Sequence, residues 1–339
     1  MARENRQLDC KKVGRWRLDK QLAALVVLCL ALFSGQLAAQ QPNVINNFVQ
    51  KHFPHSYAEQ MARFGLKQQS SRDSISQNSK NKTIVLVHGL DDPGKVWMNL
   101  QPALLKQGYD IWRFEYPDDQ PIHESARLLY QALVKWQVQL GSNIEIIAHS
   151  MGGLVSREML THPEFSCTEC QQQRPMVDRL IMVGTPNAGS ELARFRYFSE
   201  IRDQIFSGDF HWLGGFVDGN GEAGEELIPG SPFLTQLNSR RHPAETEYVI
   251  IAGLLTTNEL AQLTLQLELV KKLNETIQQI SQQVIQKLGD GLVSLDSAAL
   301  AGVPLYKVTG THLTIIRNVF KDSQRVPPAI PLIEKLLRQ

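Results

Sequence analysis

The chain has 339 residues, 42% of them hydrophobic and 20% charged, which supplies a large packed core and excludes a disordered tail. The formal charge of +1 is uneven: residues 1–39 hold seven of the 35 Lys and Arg but three of the 34 acids, leaving 28 bases against 31 acids, or −3, in the rest. A mildly acidic body has no cationic surplus for phosphates, so no nucleic-acid partner is expected, and no repeat period suggests a solenoid or propeller.

The basic start is followed by the uncharged run Leu22 to Phe33, then Ser34-Gly35-Gln36-Leu37-Ala38-Ala39 and the polar Gln40-Gln41-Pro42. This order of basic, apolar and small residues predicts a signal peptide over 1–39 and an exported, periplasmic or secreted protein. The apolar run is shorter than the roughly 20 residues that span a bilayer comfortably; the alternative, an inner-membrane anchor formed by residues 21–39, needs Ser34 to Ala39 to lengthen it. Cys10 and Cys29 fall in this leader, so an exported body keeps only Cys167 and Cys170. In an oxidising compartment that Cys-Thr-Glu-Cys pair most simply closes a small disulfide loop, since zinc needs further ligands at metal spacing.

Residues 40–82 read as a polar lead-in. From Thr83 short apolar runs alternate with helical patterns: Thr83 to Val87, Tyr109 to Phe114, Asn143 to Ala148, Val177 to Val183, Tyr248 to Ala252 and Leu305 to Thr309. Between the second and third, Ala126, Leu129, Leu133, Trp136 and Leu140 recur at helical spacing over Ile122 to Leu140. The expected fold class is α/β, a mostly parallel sheet of about six strands with helices on both faces.

Two segments exceed this alternation. Phe195 to Phe216 holds seven aromatics and is followed by a glycine-rich stretch, which predicts a cap or lid within 190–245, or a satellite core beneath a long loop. Leu260 to Leu288 repeats apolar residues every three or four positions, with Thr256 and Glu259 at capping spacing and Gly289 as a stop. This predicts a helical insertion over 257–288, an amphipathic rod of roughly 45 Å.

The third strand runs into Ala148-His149-Ser150-Met151-Gly152-Gly153. A serine becomes a useful nucleophile when a sharp turn lifts it free of the strand, with a base on one side and amide donors on the other. Small residues at Ala148 and Gly152 permit such a turn, and a helix beginning under Ser150 aims its positive end at developing charge. The setting, a strand before and a helix after, is what the motif requires.

This arrangement resembles the nucleophile elbow of α/β-hydrolases, with Ala148 in place of the first Gly. His88-Gly89-Leu90 resembles the oxyanion loop of bacterial lipases, and Gly184-Thr185-Pro186-Asn187-Ala188-Gly189-Ser190 is similar to their Thr-Pro-His-x-Gly-Ser segment and to that of GPI inositol-deacylase-like enzymes, with Asn187 replacing the His. Gly289-Asp290-Gly291-Leu292-Val293 resembles the segment carrying the triad acid, and His312 in Gly310-Thr311-His312-Leu313 follows the last strand. The order Ser150, Asp290, His312 is that of α/β-hydrolases. Asp296 is the rival acid, because the helical insertion separates either carboxylate from its usual strand. The family's calcium-ligand Asp is here Thr314, while Asp91 and Asp92 read as solvated loop residues.

The resemblance implies a serine hydrolase of carboxylic esters, a lipase or esterase on medium or long acyl chains. Its triad would be Ser150, Asp290 and His312, with the Leu90 and Met151 amides as oxyanion hole and with no cofactor or metal required. Its partners would be an ester or lipid substrate and, for a lipase, a lipid interface. Alternatives are a thioesterase or amidase on the same triad, or a non-catalytic exported binding module.

Overall fold

The computed structural model describes residues 51, 62–69, 82–90, 94–118, 120–141, 144–165, 176–190, 222–255, 289–319 and 323–339. The chain divides into Met1–Met61, of which only Lys51 is described, and Ala62–Gln339. The leader, the Cys167 and Cys170 pair, the aromatic run Phe195 to Phe216 and the amphipathic run Leu260 to Leu288 lie outside the described residues. Among the described residues no helix is long and apolar enough to cross a membrane.

Ala62–Gln339 carries a seven-stranded sheet in the order β1-β3-β2-β4-β5-β6-β7. The strands are β1 (Gly65–Gln68), β2 (Thr83–Val87), β3 (Asp110–Glu115), β4 (Ile144–His149), β5 (Val177–Val183), β6 (Glu247–Leu254) and β7 (Leu305–Thr309). All neighbours pair in parallel except β1, which runs antiparallel on β3. Six of the seven are the strands read from the sequence. β1 was not, because its four residues Gly-Leu-Lys-Gln bury only Leu66 and so lack an apolar run.

Both faces of the central strands are apolar, which is why the sheet is sandwiched. Val85 and Val87, Ile146 and Ala148, and Leu180 and Met182 point into one core, together with α2 (Ile122–Lys135), α4 (Met151–Thr161) and α6 (Pro232–Ser239). Ile84 and Leu86, Ile147, and Ile181 and Val183 point into the other, with α1 (Leu100–Lys106) and α8 (Ala329–Leu337). The remaining short helices are α3 (Gln137–Leu140), α5 (Glu222–Glu226) and α7 (Leu295–Ala298). The helix expected over Ile122 to Leu140 is thus two helices, broken at Trp136, whose ring packs on Trp112 at 5.4 Å.

Within 190–245, α5 and α6 place Ala223, Leu227, Leu234 and Leu237 in the core beside α4 and carry the chain across to β6. Chain order reverses at β2, whose neighbours are β3 on one side and β4 on the other. In open α/β sheets the crevice beyond the carboxyl ends of such strands is where ligands bind.

Candidate active site

At that reversal the loop after β2 meets the turn after β4. β4 ends at His149 and α4 starts at Met151, so Ser150 alone makes the turn, with φ 54° and ψ −130°. Among the described residues it is the one non-glycine in the left-handed region. Such backbone costs about 1–3 kcal/mol and persists only where surrounding structure enforces it. The enforcement is visible. The Ser150 amide donates to the Val183 carbonyl at 2.9 Å, and its own carbonyl accepts from the Gly153 amide at 3.0 Å.

Glycines leave the room. A Cβ at Gly152 would strike the carbonyl oxygens of Val87 and His88, and one at Gly89 would sit 2.7 Å from the Ser150 Cβ. The α4 helix therefore presses end-on against the β2 loop, its positive end beneath Ser150. Leu90, half-buried, follows that loop, and the fully buried Met151 is the first residue of α4.

Asp290 and His312 meet as a buried pair, 1% and 3% exposed. The Asp290 Oδ2 accepts from His312 Nδ1 at 2.8 Å, while its Oδ1 accepts the Leu292 and Val293 amides at 2.9 and 2.8 Å. The backbone repeats the link, since the His312 amide donates to the Asp290 carbonyl at 2.8 Å. Both side chains sit over Gly184 at the end of β5, where an added Cβ would lie 3.1 Å from the imidazole and 3.3 Å from the carboxylate. Asp296 instead lies exposed in the first turn of α7.

The turn carrying His312 is closed by hydroxyls. Thr311 N donates to Thr314 Oγ1 at 2.8 Å and Thr314 N returns a bond to Thr311 Oγ1 at 3.2 Å. Thr314, where the resemblance expected a calcium ligand, thus supports the imidazole's turn.

His149 links the two halves. Its Nε2 bonds the His312 carbonyl oxygen at 3.0 Å, and the two rings lie 4.7 Å apart. Burial, reinforced by the facing His312, pushes the His149 imidazole well below its ordinary pKa, so it is a neutral donor here. Ser150 and His312 therefore stand at the same ends of β4 and β5. No hydrogen bond joins Ser150 Oγ to His312 among the described residues, and in ligand-free sites this contact commonly tightens only when substrate arrives.

Several contributors were not legible in the sequence. Tyr116 donates its hydroxyl to the His88 carbonyl at 2.7 Å and stacks on the His88 ring at 4.4 Å, bracing the loop before Leu90. Arg157, on the buried face of α4, donates to Asn187 Oδ1 at 3.0 Å and Asn238 Oδ1 at 2.9 Å, and burial pushes its pKa down to about 10. Asn187 also donates to the Ala298 carbonyl at 2.7 Å. The residue that departs from the Thr-Pro-His pattern thus ties α4 to the segment after Asp290.

The sheet matches known structures at low identity. Mature lipase BlEst2 of Bacillus licheniformis superposes with TM-score 0.57 at 20% identity, covering 80% of this chain and 97% of that one. A metagenomic carboxyl esterase gives 0.50 at 20%, covering 78% and 76%. Phospholipase PlaB from Legionella pneumophila gives 0.51 at 17%, covering 76% of this chain and 59% of that one. The chain has an α/β-hydrolase fold. Within this hydrolase fold, residues 117–215 match a family described as a domain of unknown function (DUF7379). No curated protein matches the sequence.

Proposed function

We propose that the chain is a serine hydrolase of carboxylic esters that works through an acyl-enzyme on Ser150. The observation that carries this reading is the strained backbone of Ser150 at the strand-to-helix turn, with the buried Asp290 and His312 pair at the neighbouring strand ends. Strain of this kind is retained at sites that use it. Structural neighbours named as a lipase, a carboxyl esterase and a phospholipase support the same class of chemistry.

In this mechanism Asp290 fixes the His312 tautomer by accepting from Nδ1, which leaves Nε2 to take the Ser150 proton as Oγ attacks the carbonyl carbon. The Leu90 and Met151 amides receive the oxyanion, worth about 10² to 10³ in rate for one such donor. The tetrahedral intermediate collapses, His312 returns the proton to the departing alkoxide, and water repeats the sequence to free the acid. The aromatic content of Phe195 to Phe216 inclines the acyl group to medium or long chains, and the basic and apolar leader makes export part of the proposal.

A p-nitrophenyl ester series tests this. Ser150→Ala should lose about 10⁴ or more of the hydrolysis rate while staying folded, and rates should rise with acyl length. Full activity in Ser150→Ala would overturn the nucleophile.

A further inference from the structure

The far end of the nucleophile helix carries a second cluster of chemistry-bearing side chains. Thr161 ends α4, His162 caps it, and Glu164 lies in the 3₁₀ turn Pro163–Phe165 that follows. Opposite stands His123 in the first turn of α2. The His123 and His162 rings meet edge to face at 4.5 Å, and one ligand atom from each of His123, His162 and Glu164 lies within 4.8 Å of the others.

The hydrogen bonding resembles a prepared ligand set. Glu158, 3% exposed, accepts from His123 Nδ1 at 3.0 Å through Oε1, while its other oxygen is held by Arg240. With the Nδ1 proton given to that carboxylate, Nε2 is the ring nitrogen left to face a cation, the arrangement in which metal-bound histidines are usually held. His123 Nε2 lies 3.1 Å from Glu164 Oε2, and Glu164 Oε1 is gripped by Arg127 Nε at 3.1 Å. Arg127 Nη2 contacts the same Nε2 at 3.1 Å, so a positively charged donor now stands where a cation would. The C-terminal end of α4, where His162 stands, adds negative potential that favours a cation.

We propose that His123, His162 and Glu164 form a site for a divalent cation of the zinc class, with Glu158 orienting His123. Two imidazoles and one carboxylate suit zinc, whose tetrahedral ligand atoms lie about 3.4 Å apart, so the cluster must contract by at most about 1.5 Å. On binding, Arg127 Nη2 releases Nε2 while Arg127 Nε keeps Glu164. The ion clamps the end of α4 to α2, roughly 16 Å along the helix from Ser150. Its proposed role is to join the two helices, apart from the ester chemistry proposed at Ser150.

Zinc titration of the chelator-treated full protein, followed by calorimetry, tests the site. One ion per chain is expected, with an unfolding midpoint raised by about 3 °C or more at saturating zinc. His123→Gln and His162→Gln should each weaken binding tenfold or more, with fluorophosphonate labelling at Ser150 unchanged. Cobalt substituted into the unmodified protein should give visible bands without a thiolate charge-transfer band in the near ultraviolet, which separates this site from one at Cys167 and Cys170. Binding that is absent, that persists in both histidine variants, or that carries a thiolate band would overturn the proposal.

Discussion

The amide of Leu255 donates to the carbonyl of Gly289 at 2.8 Å, although 34 positions separate them. The chain therefore leaves the sheet at the end of β6 and returns to the same point, and Asp290 stands where a short loop would have put it. Gly253 on β6 confirms the seating, since a Cβ there would lie 2.6 Å from the Asp290 Cβ. Replacing residues 257–287 with a short glycine linker should leave a folded protein with a reactive Ser150, because loop length changes stability only slowly once the base is closed. Circular dichroism and fluorophosphonate labelling check this; loss of the fold would show that the insertion supports the sheet.

The distinction between the two candidate acids is similarly testable. Asp290→Asn should keep the fold but lower kcat by about 10⁴, because an amide no longer fixes the imidazole tautomer. Asp296→Asn, on an exposed carboxylate, should change kcat by less than about twofold. Steady-state kinetics on one ester decides between them.

Most of this frame was legible because physics writes it locally. β2, β4 and β5 bury both faces over Ile84–Val87, Ile146–Ala148 and Leu180–Val183 and so appear as short apolar runs, and the elbow needs small residues at fixed offsets from Ser150. Asp290 and His312 are legible through resemblance, but the contacts that brace the surrounding loops and helix are long-range: Tyr116 reaches His88 across 28 positions, and Arg157 reaches Asn238 across 81. No local pattern encodes such partners. β1 escaped for another reason: an antiparallel edge strand with one buried side chain carries no periodic signal.

Gly253→Ala should be a severe change for a single methyl group. The added carbon cannot fit beside Asp290 and also crowds Ile315 Cγ2 at 3.0 Å, so either the acid or β6 must move. A tenfold or larger fall in kcat is expected, with KM nearly unchanged, together with a lower unfolding midpoint. Equal activity in both proteins would contradict the seating of Asp290 on β6.

His149 makes stability depend on pH. The unfolded chain takes up a proton near pH 6.5, whereas burial holds the folded imidazole neutral to lower pH. The folded state thus binds fewer protons, and stability is full above about pH 6.5 and falls as pH drops below it. His162 and His242 shift in the same direction and add to the slope. Urea unfolding between pH 5 and 7.5 should show a slope shallower by up to about 1.4 kcal/mol per pH unit in His149→Gln.

The most direct measurement is intact-mass and peptide mapping after treatment with a fluorophosphonate. One adduct per chain on Ser150, abolished in Ser150→Ala and strongly slowed in His312→Ala, is the expected result. A folded protein that takes no adduct, or takes it at another residue, would contradict the assignment of Ser150 as the nucleophile.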